Sequence, residues 1–300
     1  MIFSGHTFWA LDGILVTPAL EMEAVDSDAQ GVLDATASLE PVTIKFTPSA
    51  PFADLVTLYP WREGQPGQSL FGSEDVPLVL IAANGVRLTF AAAAIVVMPD
   101  LHLTASGPVA GAVTFIALGA RSLPVMAANR LVTIDTAALP TAPTGTPQLT
   151  DNFSIIWGGA PWTNLRARDG VKIRFILKTT SVLSDANAIL DLTLEELAVE
   201  ARFIPATSGG PGEVDLISAL QLQGSQSLPG RSLATTGHTL DIAGEHVWVL
   251  LPLAQLVGGS LWFDVANGRI GELTFRAERA FLGMDEMGPL VEVKEGIENE

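Results

Sequence analysis

The chain contains no cysteine among its 300 residues, which excludes disulfide bonds, thiolate metal sites and cysteine nucleophiles. Basic residues are also scarce, with 16 Lys and Arg against 33 Asp and Glu, for a formal net charge of −17. This balance excludes a basic surface of the kind that binds nucleic acid phosphates. Charged residues make up only 16% of the chain, below the roughly 25% of an average globular protein. Much of the surface is therefore expected to meet other protein.

A long uncharged run extends from His246 to Phe263. Its 18 residues are marginal for a membrane-spanning helix, and Pro252 and two adjacent glycines interrupt it. We interpret the run as two buried strands around a turn, and we expect no contact with a membrane.

The most informative feature of the sequence is an internal repeat. At a separation of 157 positions, residues 11–48 align with residues 168–205, and thirteen of these 38 positions are identical. Gly13 aligns with Gly170, for example. This level of identity is far above that of unrelated segments, so the two stretches are interpreted as copies.

The match resumes beyond this block with small changes of separation, as insertions in loops produce. Gly67-Gln-Ser-Leu70 meets Gly230-Arg-Ser-Leu233. Because the order of segments is kept, we interpret the chain as a tandem duplication of one domain. The predicted parts are a first domain at 1–121, a linker at 122–159, a second domain at 160–281 and an acidic C-terminal arm at 282–300.

Each copy is predicted to be mainly β. In the second copy Val171, Ile173 and Phe175 alternate with polar residues, which is the period of two of a half-buried strand. The alternation changes parity at Glu40-Pro41, which predicts a bulge or bend because parity cannot otherwise change within a strand.

Helical spacing predicts one helix per copy, over 52–59 and 213–222, and Asn84-Gly85 predicts a hairpin turn. The predicted fold class is mainly β, a tandem duplication of a β-sandwich or barrel domain with one flanking α-helix per copy. The matched positions expected to face the core are Val86 and Val247, Leu88 and Val249, Val113 and Leu273, and Phe115 and Phe275.

The sequence gives little support for catalysis or for a cofactor. The four histidines form no HxH or HExxH pattern. The GxSL segments lack the glycine that a nucleophile elbow needs two residues after the serine, because Phe71 and Ala234 stand there. We therefore expect no enzyme activity, no metal site and no cofactor.

Aromatic and arm residues are candidate contact sites. Tyr59 and Trp61 lie in a long loop after the first predicted helix, where aromatic side chains suit sugar-binding platforms or subunit contacts. Loops and termini are the parts of a chain that reach a neighbouring subunit most easily. The candidate contact residues, which would lie between rings if subunits stack, are Tyr59, Trp61, Phe71, Leu290 and Val293.

The run GQSLFG…NGVRLTFAAAAIVVMPDLHLTASGPVAGAVTFIALG resembles segments of tail proteins of phages and prophages, and the whole plan is similar to phage tail tube proteins. The resemblance implies a β-sandwich with a flanking helix that assembles into stacked rings. It implies a homotrimer with pseudo-six-fold symmetry for a duplicated chain, located in the virion tail after assembly in the host cytoplasm. Its implied partners are further copies of the chain, other tail proteins and viral DNA that passes through without specific binding.

A DNA conduit is expected to carry carboxylates that repel phosphates, and the net charge agrees with this. The candidate lumen acids on the polar strand face are Asp34, Glu40, Asp191 and Glu195. Opposed charges at matched positions also suggest an inter-domain pair, Glu21 with Lys178.

Three other interpretations stay open from the sequence. A tail hub or baseplate ring protein has the same duplicated plan but forms one ring. A tandem β-sandwich carbohydrate-binding module would act as a monomer through its aromatic loops. An enzyme with a site built from scattered acids is the third.

Overall fold

The structure of the chain is a computed structural model that describes residues 1–18, 20–27, 31–39, 41–50, 52–59, 66–71, 75–104, 107–118, 131–140, 153–158, 162–163, 165–183, 189–206, 237–244, 247–263, 268–278 and 289–295. The described part is mainly β, and the strands within its sheets pair antiparallel. The predicted β class is confirmed at this level.

Short strands and one short helix make up the described part of residues 1–136, which we call the N-terminal half. They are β1 (Ile2–Phe3), β2 (His6–Thr7), β3 (Trp9–Thr17), β4 (Leu20–Ser27), β5 (Gly31–Leu39), β6 (Val42–Ser49), α1 (Phe52–Val56), β7 (Leu78–Ile81), β8 (Val86–Phe90), β9 (Ala92–Val97), β10 (Leu101–Thr104), β11 (Gly107–Ala110), β12 (Val113–Leu118) and β13 (Val132–Thr136).

Longer strands make up the described part of residues 153–295, which we call the C-terminal half. They are β14 (Ser154–Trp157), β15 (Val171–Leu183), β16 (Ile189–Phe203), β17 (His238–Ala243), β18 (Val247–Phe263), β19 (Gly268–Ala277) and β20 (Glu292–Glu295).

The strands form four sheets within the described residues. The N-terminal half contributes the orders β13-β8-β7-β1-β2, β3-β6-β12-β9 and β4-β5. The largest sheet has the order β11-β10-β15-β16-β19-β18-β17-β14, and β20 also pairs with β18. This sheet contains strands from both halves.

Corresponding strands of the two halves pair in the same register. β3, β6, β12 and β9 are neighbours in the same order as β15, β16, β19 and β18. Six cross-strand pairs of the N-terminal half each match one pair of the C-terminal half. With the N-terminal pair first, they are Leu15–Lys45 with Lys172–Arg202, Val113–Phe46 with Leu273–Phe203, Phe115–Ile95 with Phe275–Leu256, Leu80–Leu88 with Ile242–Val249, Ile134–Leu88 with Val293–Val249, and Leu101–Ala110 with Leu261–Ile270. These positions of the N-terminal half therefore have structural counterparts in the C-terminal half.

The aromatic cores of the two halves also match. Phe115 lies 4.8 Å from Phe3 edge to face and 6.1 Å from Phe46 in a stacked arrangement, measured between ring centroids. Phe275 has two neighbours in the same arrangement, with Trp157 edge to face at 5.1 Å and Phe203 stacked at 5.7 Å. Such ring geometries add to the free energy gained by burying the rings.

Several sequence predictions are confirmed in this fold. The Asn84-Gly85 turn joins β7 to β8, with Gly85 at a φ of 83° and the Asn84 carboxamide oxygen accepting a hydrogen bond from the Val86 amide at 3.1 Å. Six of the eight matched core positions are fully buried, and Val86 and Leu88 are half-buried.

The predicted change of parity at Glu40-Pro41 falls between β5 and β6. It stays a prediction, because the side chains of β5 and the whole of Glu40 lie outside the described part. The C-terminal half does show a change of parity within one strand. In β16 the register passes from Glu196 to Leu194 and leaves Glu195 unpaired, so the buried face changes from Leu194 to Leu197.

Other predictions need correction. The described part of the long uncharged run, Val247–Phe263, is one continuous strand, β18, rather than two strands around a turn, and the register shifts at its glycines are bulges. The first predicted helix is a helix only over Phe52–Val56, and the second lies outside the described residues. The residues predicted as linker and arm contain β13, β14 and β20, which are paired strands.

Candidate functional site

The two halves are joined by strand pairing. β10 of the N-terminal half pairs antiparallel with β15 of the C-terminal half, with Leu101 opposite Ile173 and Leu103 opposite Val171. All four of these side chains are fully buried. We call this contact the seam.

A glycine allows the two backbones of the seam to approach closely. Gly170 has a φ of 91°, and a Cβ atom at this position would lie 2.3 Å from the carbonyl oxygen of Leu103. Only glycine fits both the left-handed backbone and this approach. At the polar side of the seam, Lys172 forms an ion pair with Asp100 at 2.9 Å.

The Gly67–Leu70 segment extends the seam by forming a bridge to β16. Leu194 accepts a hydrogen bond from the Gly67 amide at 2.7 Å and donates one to the carbonyl of Gln68 at 2.8 Å. The Ser69 hydroxyl donates to an Asp191 carboxylate oxygen at 2.7 Å. This GxSL segment therefore binds the edge of the C-terminal half through backbone and side-chain hydrogen bonds.

The helix α1 and the residues after it cover part of the C-terminal half. α1 contacts β20, and the ring of Tyr59 lies 4.6 Å from that of Phe175. Burial, with a smaller contribution from the charge of Asp100, raises the pKa of Tyr59 well above its ordinary value. The phenol therefore stays neutral and acts as a packing group.

Two of the candidate lumen acids have described side chains. Asp191 is half-buried and accepts a hydrogen bond from Ser69, so its carboxylate contributes to the contact between the two halves. Glu195 is exposed and accepts a hydrogen bond from the Thr180 hydroxyl at 2.5 Å. The side chain of Asp34, which lies in β5, and the whole of Glu40 lie outside the described part.

The candidate inter-domain pair is described at one member. Lys178 forms an ion pair with Glu196, directly opposite on β16. The Lys178 ammonium, and secondarily Arg276, hold the pKa of Glu196 below its usual range. Glu21 lies in β4, and its side chain is outside the described part.

Most candidate stacking residues are buried in their own chain. Tyr59, Phe71, Leu290 and Val293 all belong to its hydrophobic core, and Trp61 lies outside the described residues. Residues buried in this way stabilise the fold and offer no free surface to a second ring. Within the predicted acidic arm, β20 pairs with β18 of the same chain.

The described residues contain no cluster of three or more His, Asp or Glu side chains that could hold a metal ion. Among them there is also no helix long and apolar enough to cross a membrane.

Sequence reasoning missed the seam itself. The only signals for it were identities between copies, such as Gly13 with Gly170 and Asp34 with Asp191. These identities mark equivalent positions but do not say which strands meet, because pairing between β10 and β15 joins segments far apart in the sequence.

The seam hydrogen bond can be tested by replacing Ser69 with alanine. The variant removes one of the two donors to this Asp191 carboxylate oxygen, which keeps its hydrogen bond from the Leu192 amide at 2.8 Å. The free energy of unfolding is therefore expected to fall by about 1 kcal/mol, the net contribution of one hydrogen bond. Urea unfolding followed by tryptophan fluorescence measures this. Thr180→Ala, which removes an exposed hydroxyl on β15, is the control and is expected to change stability by less than about 0.5 kcal/mol. Equal stability of the Ser69 variant and the unsubstituted protein would contradict the role assigned to this bond.

Comparison with known proteins gives no assignment: no protein-family model matches the chain, and no curated protein matches it.

Proposed function

We propose that the chain is a tandem duplication and a structural subunit of a phage tail tube, forming stacked trimeric, pseudo-hexameric rings in the virion. The observation that carries this proposal is the strand-paired seam between the two halves, together with the equal register of their corresponding strands. Such a contact is heterologous, since different surfaces of the two halves meet. A heterologous contact that repeats and closes gives a ring, and rings that stack give a filament.

Composition supports the same proposal. Large protein–protein interfaces are poor in charged residues at their centre, and only 16% of this chain is charged. Its net charge of −17 suits a conduit through which DNA slides without being held. In this proposal the chain is not an enzyme, and its partners are copies of itself, other tail proteins and passing DNA.

The mass in solution tests the proposal. Sedimentation at increasing concentration is expected to show particles of three 31.6 kDa chains and larger multiples. Single rings that never stack would instead indicate a tail hub protein. A monomer at all concentrations, and also in the presence of a tail-tip complex that initiates tubes, would contradict both functions.

Glu195, an exposed candidate lumen acid, allows a test of which residues face the lumen. Tubes assembled from a Glu195→Lys variant are expected to retain duplex DNA in low salt, and severalfold less in 0.5 M salt, because repeated lysines attract phosphates. Filter retention of labelled DNA measures this, with Glu195→Gln tubes as the control that changes charge without adding a cation. If Glu195→Lys tubes retain no more DNA than the control, Glu195 does not face the lumen.

A further inference from the structure

One face of the N-terminal half is uncovered where its counterpart in the C-terminal half is covered. Ile134 of β13 is 70% exposed, whereas its counterpart Val293 of β20 is 3% exposed. The cover over β20 comes from α1 of the N-terminal half, as described above. The described chain has no second element in the equivalent place over β13.

The same asymmetry holds along the first strand of each half. Val171 and Ile173 are fully buried, whereas their counterparts Ile14 and Val16 are half-buried. Ile14 and Val16 instead line an apolar groove of ≈ 470 Å³. Leu15, between them, is 62% exposed.

Gly13 shows most clearly what is missing. It has a φ of 85°, as its counterpart Gly170 has 91°. At Gly170 the Leu103 carbonyl occupies the space beside the Cα atom, but at Gly13 a Cβ atom would meet nothing within 4 Å. Gly13 therefore has the backbone conformation that allows a second backbone to approach closely, but no other described part of its own chain approaches it.

The C-terminal half carries the matching edge. The hairpin of β10 and β11 pairs Leu101 with Ala110, and its counterpart pairs Leu261 with Ile270, at the end of β18 and the start of β19. β10 uses its other edge to pair with β15. Within the described residues, Leu261–Phe263 has no pairing on that other edge.

We propose that the uncovered face binds a second copy of this chain, whose Leu261–Phe263 segment pairs antiparallel with Ile14–Val16 as β10 pairs with β15. This inference rests on the proposed function and gives the register of its inter-subunit contact. Counterpart positions set Phe263 opposite Ile14, Trp262 opposite Leu15 and Leu261 opposite Val16. The Phe263 carbonyl then occupies the space beside Gly13.

The chemistry of the two seams differs at one pair. Within the chain, His102 lies opposite Lys172, and Asp100 pairs with that lysine. Between chains, Trp262 lies opposite Leu15, and Ser260 takes the place of Asp100. An aromatic–aliphatic cross-strand pair is favourable on an exposed sheet face, which gives the exposed Leu15 a partner.

Cysteine cross-linking tests this register, since the natural chain has no cysteine. One chain carries Leu15→Cys and a second, differently tagged chain carries Trp262→Cys. Directly opposed residues on antiparallel strands have Cβ atoms about 4.5–5.5 Å apart, close enough for a disulfide after local adjustment. After mixing in equal amounts, assembly and mild oxidation, up to about half of the chains in assemblies are expected to run as mixed dimers on a non-reducing gel, because the neighbour at each contact carries the complementary cysteine about half of the time.

A matched pair is the control, with Val97→Cys replacing Leu15→Cys. Val97 is 50% exposed on a strand of the same sheet but lies away from the uncovered edge, so this pair is expected to cross-link at least tenfold less. Electron micrographs of the same samples separate the two proposals. Rings without the Leu15–Trp262 cross-link would overturn the register and leave the ring function standing. A lack of both rings and cross-links at every concentration would overturn both.

Discussion

Alanine at Gly170 is expected to destabilise the isolated chain, whereas alanine at Gly13 is expected to spare the chain and prevent assembly. At Gly170 the new Cβ atom would lie 2.3 Å from a backbone oxygen, so the seam must separate. We expect the free energy of unfolding to fall by about 3 kcal/mol, from overpacking and left-handed strain together. At Gly13 the surrounding space is open, so the expected loss is only the left-handed strain of about 1–2 kcal/mol.

Urea unfolding of the monomer and sedimentation of the assembled protein measure the two effects separately. The Gly13→Ala variant is expected to lose only about 1–2 kcal/mol to left-handed strain in the urea experiment but to stay monomeric, because its methyl group blocks the Phe263 carbonyl of a second copy. Rings of normal stability from this variant would contradict the proposed contact. Equal losses of stability at both glycines would contradict the close approach at Gly170.

A carboxylate at Ile134 is expected to weaken assembly strongly without unfolding the chain. Ile134 is 70% exposed in the single chain, so Ile134→Asp adds little strain there. In a ring this position becomes buried as Val293 is, and an unpaired buried carboxylate costs several kcal/mol. The concentration needed for half-assembly is expected to rise at least about 100-fold, the equivalent of about 3 kcal/mol per contact.

Val97→Asp is the matched control for that substitution. Val97 is also an exposed aliphatic residue on a strand, and its counterpart Gly258 is not buried either. The control is expected to assemble at nearly the unsubstituted concentration in light-scattering titrations. If both aspartate variants assemble equally well, the face around Ile134 is not an interface.

Local patterns made parts of the fold predictable. The alternation in β15 and the Asn84-Gly85 turn depend on neighbouring residues, and both appear as expected. The parity change at Glu40-Pro41 stays a prediction, because the side chains of β5 lie outside the described part. Internal identity predicted which segments correspond, and the strand registers of the two halves agree with that correspondence.

Other parts depend on contacts that no local pattern encodes. The segments around β13 and β20 are only a few residues long, so the shared Leu-Val at their starts was too short to reveal a repeated strand. Leu290 and Val293 looked like arm residues because the acids around them suggested solvent. Both are buried instead, and Val293 belongs to β20, which pairs with β18. The seam joins strands far apart in the chain, so only the structure reveals it.

Negative-stain electron microscopy of the purified chain tests the central claim most directly. The account predicts rings with six similar lobes, two from each of three chains, that stack into tubes with regular cross-striations. Image averages of unsubstituted protein would show six-fold appearance, and Gly13→Ala samples would show isolated two-lobed particles. Isolated particles from the unsubstituted chain at every concentration, with or without a tail-tip complex, would contradict the claim that this chain assembles through its repeated seam.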